Sequence, residues 1–195
     1  MFDSSFYIKN RERLAVLLPG SLICISAHVV LQESADLAYK FRQDSNFWYL
    51  TGLNEPDAIL IIDTSKNSST LLLPEQNEYQ KEWDGTQSHA DFKKVSGIDT
   101  YGTVSELSNL VKEAEKKKLQ ICYVAPLPER VEPYGFYANP ARKMLETELK
   151  KLVSNPDEII DIRKELARLR QVKQNVEIQA IQRAIDVTAD TLEEV

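Results

Sequence analysis

Apolar and polar positions follow one another in blocks whose period changes along the chain, and the changes mark the elements. From Ser4 to Leu18 the apolar Phe6, Leu14, Val16, Leu17 and Leu18 fall among charged residues at helical spacing, and Pro19-Gly20 supplies a stop. A first helix is predicted there. Leu22 to Ala27 is short, apolar and rich in isoleucine, as a buried strand requires. Phe47 to Thr51, aromatic and closed by Gly52, is predicted as a second strand. Ala58 to Asp63 and Thr70 to Leu73 are apolar runs separated by the turn-forming residues 64–69, which predicts a hairpin.

Asn77 to Trp83 is predicted as a short helix halted by Asp84-Gly85, and the weakly periodic stretch to Asp99 as loop. Val104 to Lys117 reads as helix and Gln120 to Ala125 as strand. After the proline-containing stretch from Pro126 to Pro140, Ala141 to Leu152 reads as a helix with Met144, Leu145, Leu149 and Leu152 facing the core. Strands and helices alternating with at least one hairpin imply an α/β fold, a mixed sheet flanked by helices.

At Asn155-Pro156 strand-like runs stop and two helical patterns follow, so the expected domains are residues 1–156 and residues 157–195. Asp157 to Arg170 is predicted as one helix, broken near Gln171 to Asn175, with Asn175 capping the next. In that last helix Ile178, Ile181, Ile185, Thr188 and Leu192 recur at spacings of three and four and form one stripe. The stripe faces either its own domain or a further one.

A chain of 195 residues with 43% hydrophobic and 28% charged residues can bury one sizeable core and has the balance of a globular protein. The net charge of −6 leaves no positive field to gather phosphates, so nucleic acid is not an expected partner. The basic run Lys112 to Lys118 reads as a solvated helix end. Cys24 and Cys122 sit inside apolar strand segments and read as small buried hydrophobes, which suits a reducing cytoplasm. No apolar run approaches the ~20 residues of a membrane-spanning helix, and Asp3, Arg11, Glu12 and Arg13 spoil a secretory signal. No membrane partner is expected.

Chemistry-bearing patterns are sparse. Six glycines without a phosphate-cradling run disfavour nucleotide binding. His28 and His89 are the only histidines, neither lies in a nucleophile motif, and both read as surface or satisfied residues rather than metal ligands. No residue is therefore assigned a catalytic or metal-binding role.

One stretch stands out: Phe41-Arg42-Gln43-Asp44-Ser45-Asn46-Phe47-Trp48-Tyr49-Leu50-Thr51-Gly52-Leu53-Asn54-Glu55-Pro56-Asp57-Ala58, followed by apolar Ile59 to Ile62. It closely resembles the signature of the aminopeptidase P amino-terminal domain, of the bacterial type. Its residues read mainly as packing and turn chemistry, with Arg42, Asp44 and Glu55 as candidates for an internal polar network. Arg170-Gln171-Val172-Lys173, Glu177-Ile178, Ile181 and Ala184 resemble the helix that opens the catalytic domain of that family. Between about Glu75 and Pro156 the likeness is weak apart from Trp83, in Glu82-Trp83-Asp84-Gly85.

The resemblance implies a creatinase-type amino-terminal domain with a ribonuclease-H-like mixed sheet, followed by a pita-bread metallohydrolase domain that releases the residue before proline. Two manganese ions held by two Asp, two Glu and one His would lie beyond Val195, and this chain alone is expected to be inactive. Trp83 is the one implied substrate-binding residue, its ring stacking on a peptide in a neighbouring subunit's site; an ordinary partly buried tryptophan is the alternative. The implied partners are the chain's own catalytic domain, further copies in a dimer or tetramer, and a peptide with proline second. A prolidase domain or a free-standing assembly module are the competing readings, the triplet Asn54-Glu55-Pro56 leaning towards the aminopeptidase.

Overall fold

The computed structural model describes residues 2–78, 81, 82, 85, 88–126 and 138–193. Its elements are α1 (Ser4–Leu17), β1 (Ser21–Ser26), β2 (Gln32–Ser34), β3 (Leu37–Ala38), α2 (Ser45–Thr51), β4 (Ile59–Asp63) and β5 (Ser68–Leu73). There follow α3 (His89–Ser96), β6 (Thr100–Thr103), α4 (Leu107–Lys116), β7 (Gln120–Tyr123), α5 (Ala141–Leu152), β8 (Ile160–Asp161), α6 (Arg163–Gln171) and α7 (Asn175–Glu193).

Six strands form one sheet in the order β6-β5-β4-β1-β7-β8, and β2 pairs with β3 in a separate hairpin. The β1–β4 and β4–β5 pairs are antiparallel, whereas β5–β6, β1–β7 and β7–β8 are parallel. The mixed, helix-flanked sheet expected from the sequence is therefore present. Every residue of β1 is buried, because the sheet is covered on both faces and alternate side chains enter different layers. Ile23, Ile25, Leu60 and Ile62 join Phe6, Leu14, Phe47, Leu50 and Leu166 in one layer. Leu22, Cys24, Ile59 and Ile61 join Leu107, Val111, Leu145 and Leu149 in the other.

Several expectations are corrected. Phe47 to Thr51 is helix, not strand: the Asp44 carboxylate accepts from Asn46 and Phe47 N–H groups at the start, and Gly52 closes the end in the left-handed region. Two strong end signals outweigh the strand preference of Phe, Trp and Tyr. The loop expected before Asp99 contains α3, capped by Ser88 and ended by Gly97, with Phe92 in the core.

Asp157 to Arg170 is not one helix. Pro156–Glu158 forms a single 3-10 turn, Ile160–Asp161 pairs with β7, and only then does α6 begin. Ile162, Leu166 and Leu169 are buried in the same layer as side chains of α1 and α2. Asn175 is the first residue of α7 rather than its cap; the Gln174 N–H instead donates to the Glu177 carboxylate at 2.9 Å. In α5, Leu145 and Leu149 face the core as expected and Leu152 packs against it, whereas Met144 is 58% exposed.

Candidate functional site

The segment Phe41 to Ala58 folds around Gln43 and Asp44. Gln43 Oε1 accepts from the backbone N–H groups of His28 and Asp44, each at 2.8 Å, while its Nε2 donates to the Glu55 carbonyl at 2.8 Å. One amide thus ties the end of β1 to both ends of the motif. Asp44 is buried and divides its two oxygens between different tasks. Oδ1 caps α2, and Oδ2 receives Arg142 Nη2 at 2.5 Å and Nε at 3.2 Å.

His28 Nε2 lies 3.5 Å from the same Asp44 oxygen, and Nδ1 faces the Arg42 carbonyl at 2.9 Å, which assigns the proton to Nδ1. The polar network considered for Arg42, Asp44 and Glu55 exists, with Asp44 as its centre. Arg42 and Glu55 enter it through their carbonyls. Arg142, which completes the charge pair, comes from α5, 98 positions away in the chain. No spacing in the sequence signals it.

A second constellation joins α2 to the start of α7. The Asn10 amide, fully buried on α1, donates to the Tyr49 carbonyl at 2.9 Å and accepts from Gln174 Nε2 at 2.7 Å. The Tyr49 hydroxyl donates to Glu177 Oε2 at 3.3 Å. Burial and the Glu177 charge raise the pKa of that hydroxyl, with Arg13 pulling the other way, so it stays a donor. Arg170 donates to Ser45 Oγ at 3.0 Å and Asn46 Oδ1 at 2.8 Å, and its guanidinium lies 5.7 Å from the Tyr49 ring centre. The motif's helix is thus the surface on which the α6–α7 junction rests.

Beyond that junction α7 buries no residue: Ile178, Ile181, Ile185 and Leu192 are 53%, 48%, 54% and 72% exposed. Of the two readings of this stripe, packing on its own domain is not what the structure contains. Trp83 lies outside the described residues. His89 is exposed and stacks on Tyr101 at 4.3 Å, while His28 serves the Asp44 cluster. Cys24 and Cys122 are free and buried, and burial raises both thiol pKa values. Among the described residues no group of three or more His, Cys, Asp and Glu is placed to hold a metal ion, and no helix is long and apolar enough to cross a membrane.

Fold and site together describe a helix-flanked mixed α/β domain whose polar chemistry holds elements together and presents one long helix outward. The family described as "Aminopeptidase P, N-terminal domain" matches residues 7–123, more than half of the chain, and the chain belongs to it.

Among its relatives, the Xaa-Pro aminopeptidase of Escherichia coli is 30% identical over 194 residues, covering 94% of this chain and 42% of that protein. Xaa-Pro aminopeptidase 3 of Dictyostelium discoideum is 36% identical over 138 residues, covering 64% of this chain and 26% of that one. The solved structure of zinc-substituted E. coli aminopeptidase P in complex with product superposes with a TM-score of 0.70 at 27% identity, covering 96% of this chain and 43% of that one. A Bacillus anthracis protein described as an aminopeptidase P gives 0.78 at 25% identity, covering 98% and 46%. The chain spans less than half the length of these relatives.

Proposed function

We propose that this chain is the non-catalytic, amino-terminal part of a Xaa-Pro aminopeptidase, a cytoplasmic hydrolase that releases the residue preceding proline. The observation that carries the reading is the family match over residues 7–123 together with a terminal helix that buries none of its described side chains. A finished surface rarely presents such an apolar stripe to water, whereas a helix that lies between two folded bodies must have one.

Among the described residues no three or more His, Cys, Asp and Glu side chains are grouped to hold a metal ion. Manganese chemistry in this reading belongs to polypeptide outside the chain, and no step of it is carried by the residues above. The domain's own work is support: it bears the second body on α7, narrows access to the peptide pocket, and contributes to pairing of subunits in a dimer or tetramer. Trp83 is the residue proposed to touch substrate, a flat ring against the apolar face of a peptide with proline second.

The gene tests this directly. Its reading frame should continue past Val195 with two Asp, one His and two Glu in metal-ligand arrangement, and the purified product should lose Xaa-Pro cleavage on chelation and recover it with manganese. Trp83→Ala in that product should raise KM or lower kcat with the thermal midpoint unchanged. A reading frame without those ligands contradicts the peptidase reading, and unchanged kinetics on an Xaa-Pro-Pro peptide removes Trp83 from the site.

A further inference from the structure

Helices that pack by apolar burial take their direction from the core, but α7 has no buried residue to direct it. It is also not a continuation of α6: Val172 between them is in extended geometry and 70% exposed, so backbone hydrogen bonding alone would leave a swivel there. What holds the first turn is a closed circuit of side chains. Gln174 Nε2 binds Asn10 Oδ1, Asn10 Nδ2 binds the Tyr49 carbonyl, the Tyr49 hydroxyl binds Glu177 Oε2, and the same Glu177 oxygen accepts the Gln174 backbone N–H. Asn10 and Tyr49 are 0% and 5% exposed and lie on helices packed into the core, so the fixed half of the circuit is rigid. Arg170, held by Ser45 and Asn46, fixes the end of α6 beside it.

We propose that this circuit is a rigid joint, and that Asn10 and Tyr49 are positioning residues which set the direction in which α7 leaves the domain. Two properties follow from the geometry. Breaking one link opens the ring, so the links act together rather than separately. And a helix of 19 residues is a lever about 28 Å long, so that a 10° swing at its base displaces its far end by about 5 Å. A displacement of nearly that size, reached at Leu192, is enough to misplace a body packed along the stripe. That consequence for a catalytic body rests on the function proposed above; the joint itself does not.

The test needs no activity. Spin labels on Lys112→Cys in α4 and Asp190→Cys near the far end of α7, both exposed, report the angle between the domain and the helix as a distance distribution; Cys24 and Cys122 are buried and stay unlabelled. The otherwise unaltered 195-residue chain should give one narrow distribution. Tyr49→Phe combined with Glu177→Ala should widen it by about 4 Å, the arc of a 10° swing at residue 190, without lowering the far-ultraviolet helix signal. Glu177→Gln, which keeps an oxygen for both donors, should leave it narrow. A broad distribution in the parent chain, or one left unchanged by the double variant, overturns the proposal. Because only a distance is read, a failure of the peptidase reading and a failure of the joint remain distinguishable.

Discussion

The ring of Tyr7 lies so close to Gly52 that a Cβ built on residue 52 would stand 2.4 Å from Tyr7 Cζ and 2.8 Å from its hydroxyl oxygen. Gly52 is also at φ +71°, where it ends α2 by donating its N–H to the Trp48 carbonyl at 2.7 Å. Steric room and backbone conformation both demand glycine here. Gly52→Ala should therefore cost about 2–5 kcal/mol, the sum of left-handed strain and overpacking against a fully buried ring. Urea denaturation reads the loss directly, and a variant within 0.5 kcal/mol of the parent, roughly the scatter of an uninvolved surface change, would contradict the packing described.

Asp44 separates capping from charge pairing. Asp44→Asn keeps an oxygen for the Asn46 and Phe47 N–H groups but removes the counter-charge of Arg142, whereas Asp44→Ala removes both. Thermal or chemical unfolding should rank parent above Asn above Ala, with the alanine variant losing about 3 kcal/mol from the lost cap and a half-buried guanidinium left unpaired. Equal losses for the two variants would mean that only the charge pair matters.

Arg11 is buried on α1 and spans two helix ends, donating through Nη1 to the Leu50 carbonyl at 2.7 Å and through Nη2 to the Ser96 carbonyl at 3.0 Å. Burial lowers its pKa to about 10, with Glu12 opposing, so it remains charged at neutral pH. A lysine offers one point of contact where the planar fork offers two, so Arg11→Lys should cost about 2–3 kcal/mol despite keeping the charge. Faster amide exchange at the ends of both α2 and α3 is the specific sign to look for.

Glu146 predicts the acid limb of the stability curve. Partial burial pushes its pKa up, but hydrogen bonds from Lys143, Lys150 and Tyr123 outweigh that and hold it down to about 2, against an ordinary value of 4.5. The folded state thus binds this proton more weakly than the unfolded chain. The stabilisation is complete above pH 4.5 and drains away as pH falls towards 2. Glu146→Gln should flatten the pH dependence of unfolding in that window, and an unaltered slope would place the acid sensitivity elsewhere.

Much of the sheet was legible because its strands are buried on both faces: Leu22 to Ile25 and Ile59 to Ile62 are continuous apolar runs, and the turn formers of residues 64–69 set the hairpin between β4 and β5. Phe47 to Thr51 was misread because its aromatic content speaks for strand while Asp44 and Gly52, the residues that decide it, stand outside the run. The two-residue β8 is too short to leave a period, and Asp157, Glu158 and Asp161 made the stretch look like one polar helix. In the site, the motif carrying Gln43 and Asp44 could be singled out, but its partners could not. Arg142 and Gln174 lie 98 and 164 positions from Asp44 and Asn10 respectively, and only the folded chain brings them together.

Under the proposed function, catalysis belongs to a longer protein that this domain supports. That assignment is tested most directly by incubating an Xaa-Pro-Xaa peptide with manganese and either the product of the complete reading frame or residues 1–195 alone, then identifying the products by mass spectrometry. The complete product should release the single first residue, and residues 1–195 at the same concentration should release none. Cleavage by residues 1–195, or an intact peptide with the complete product, would contradict the proposed function.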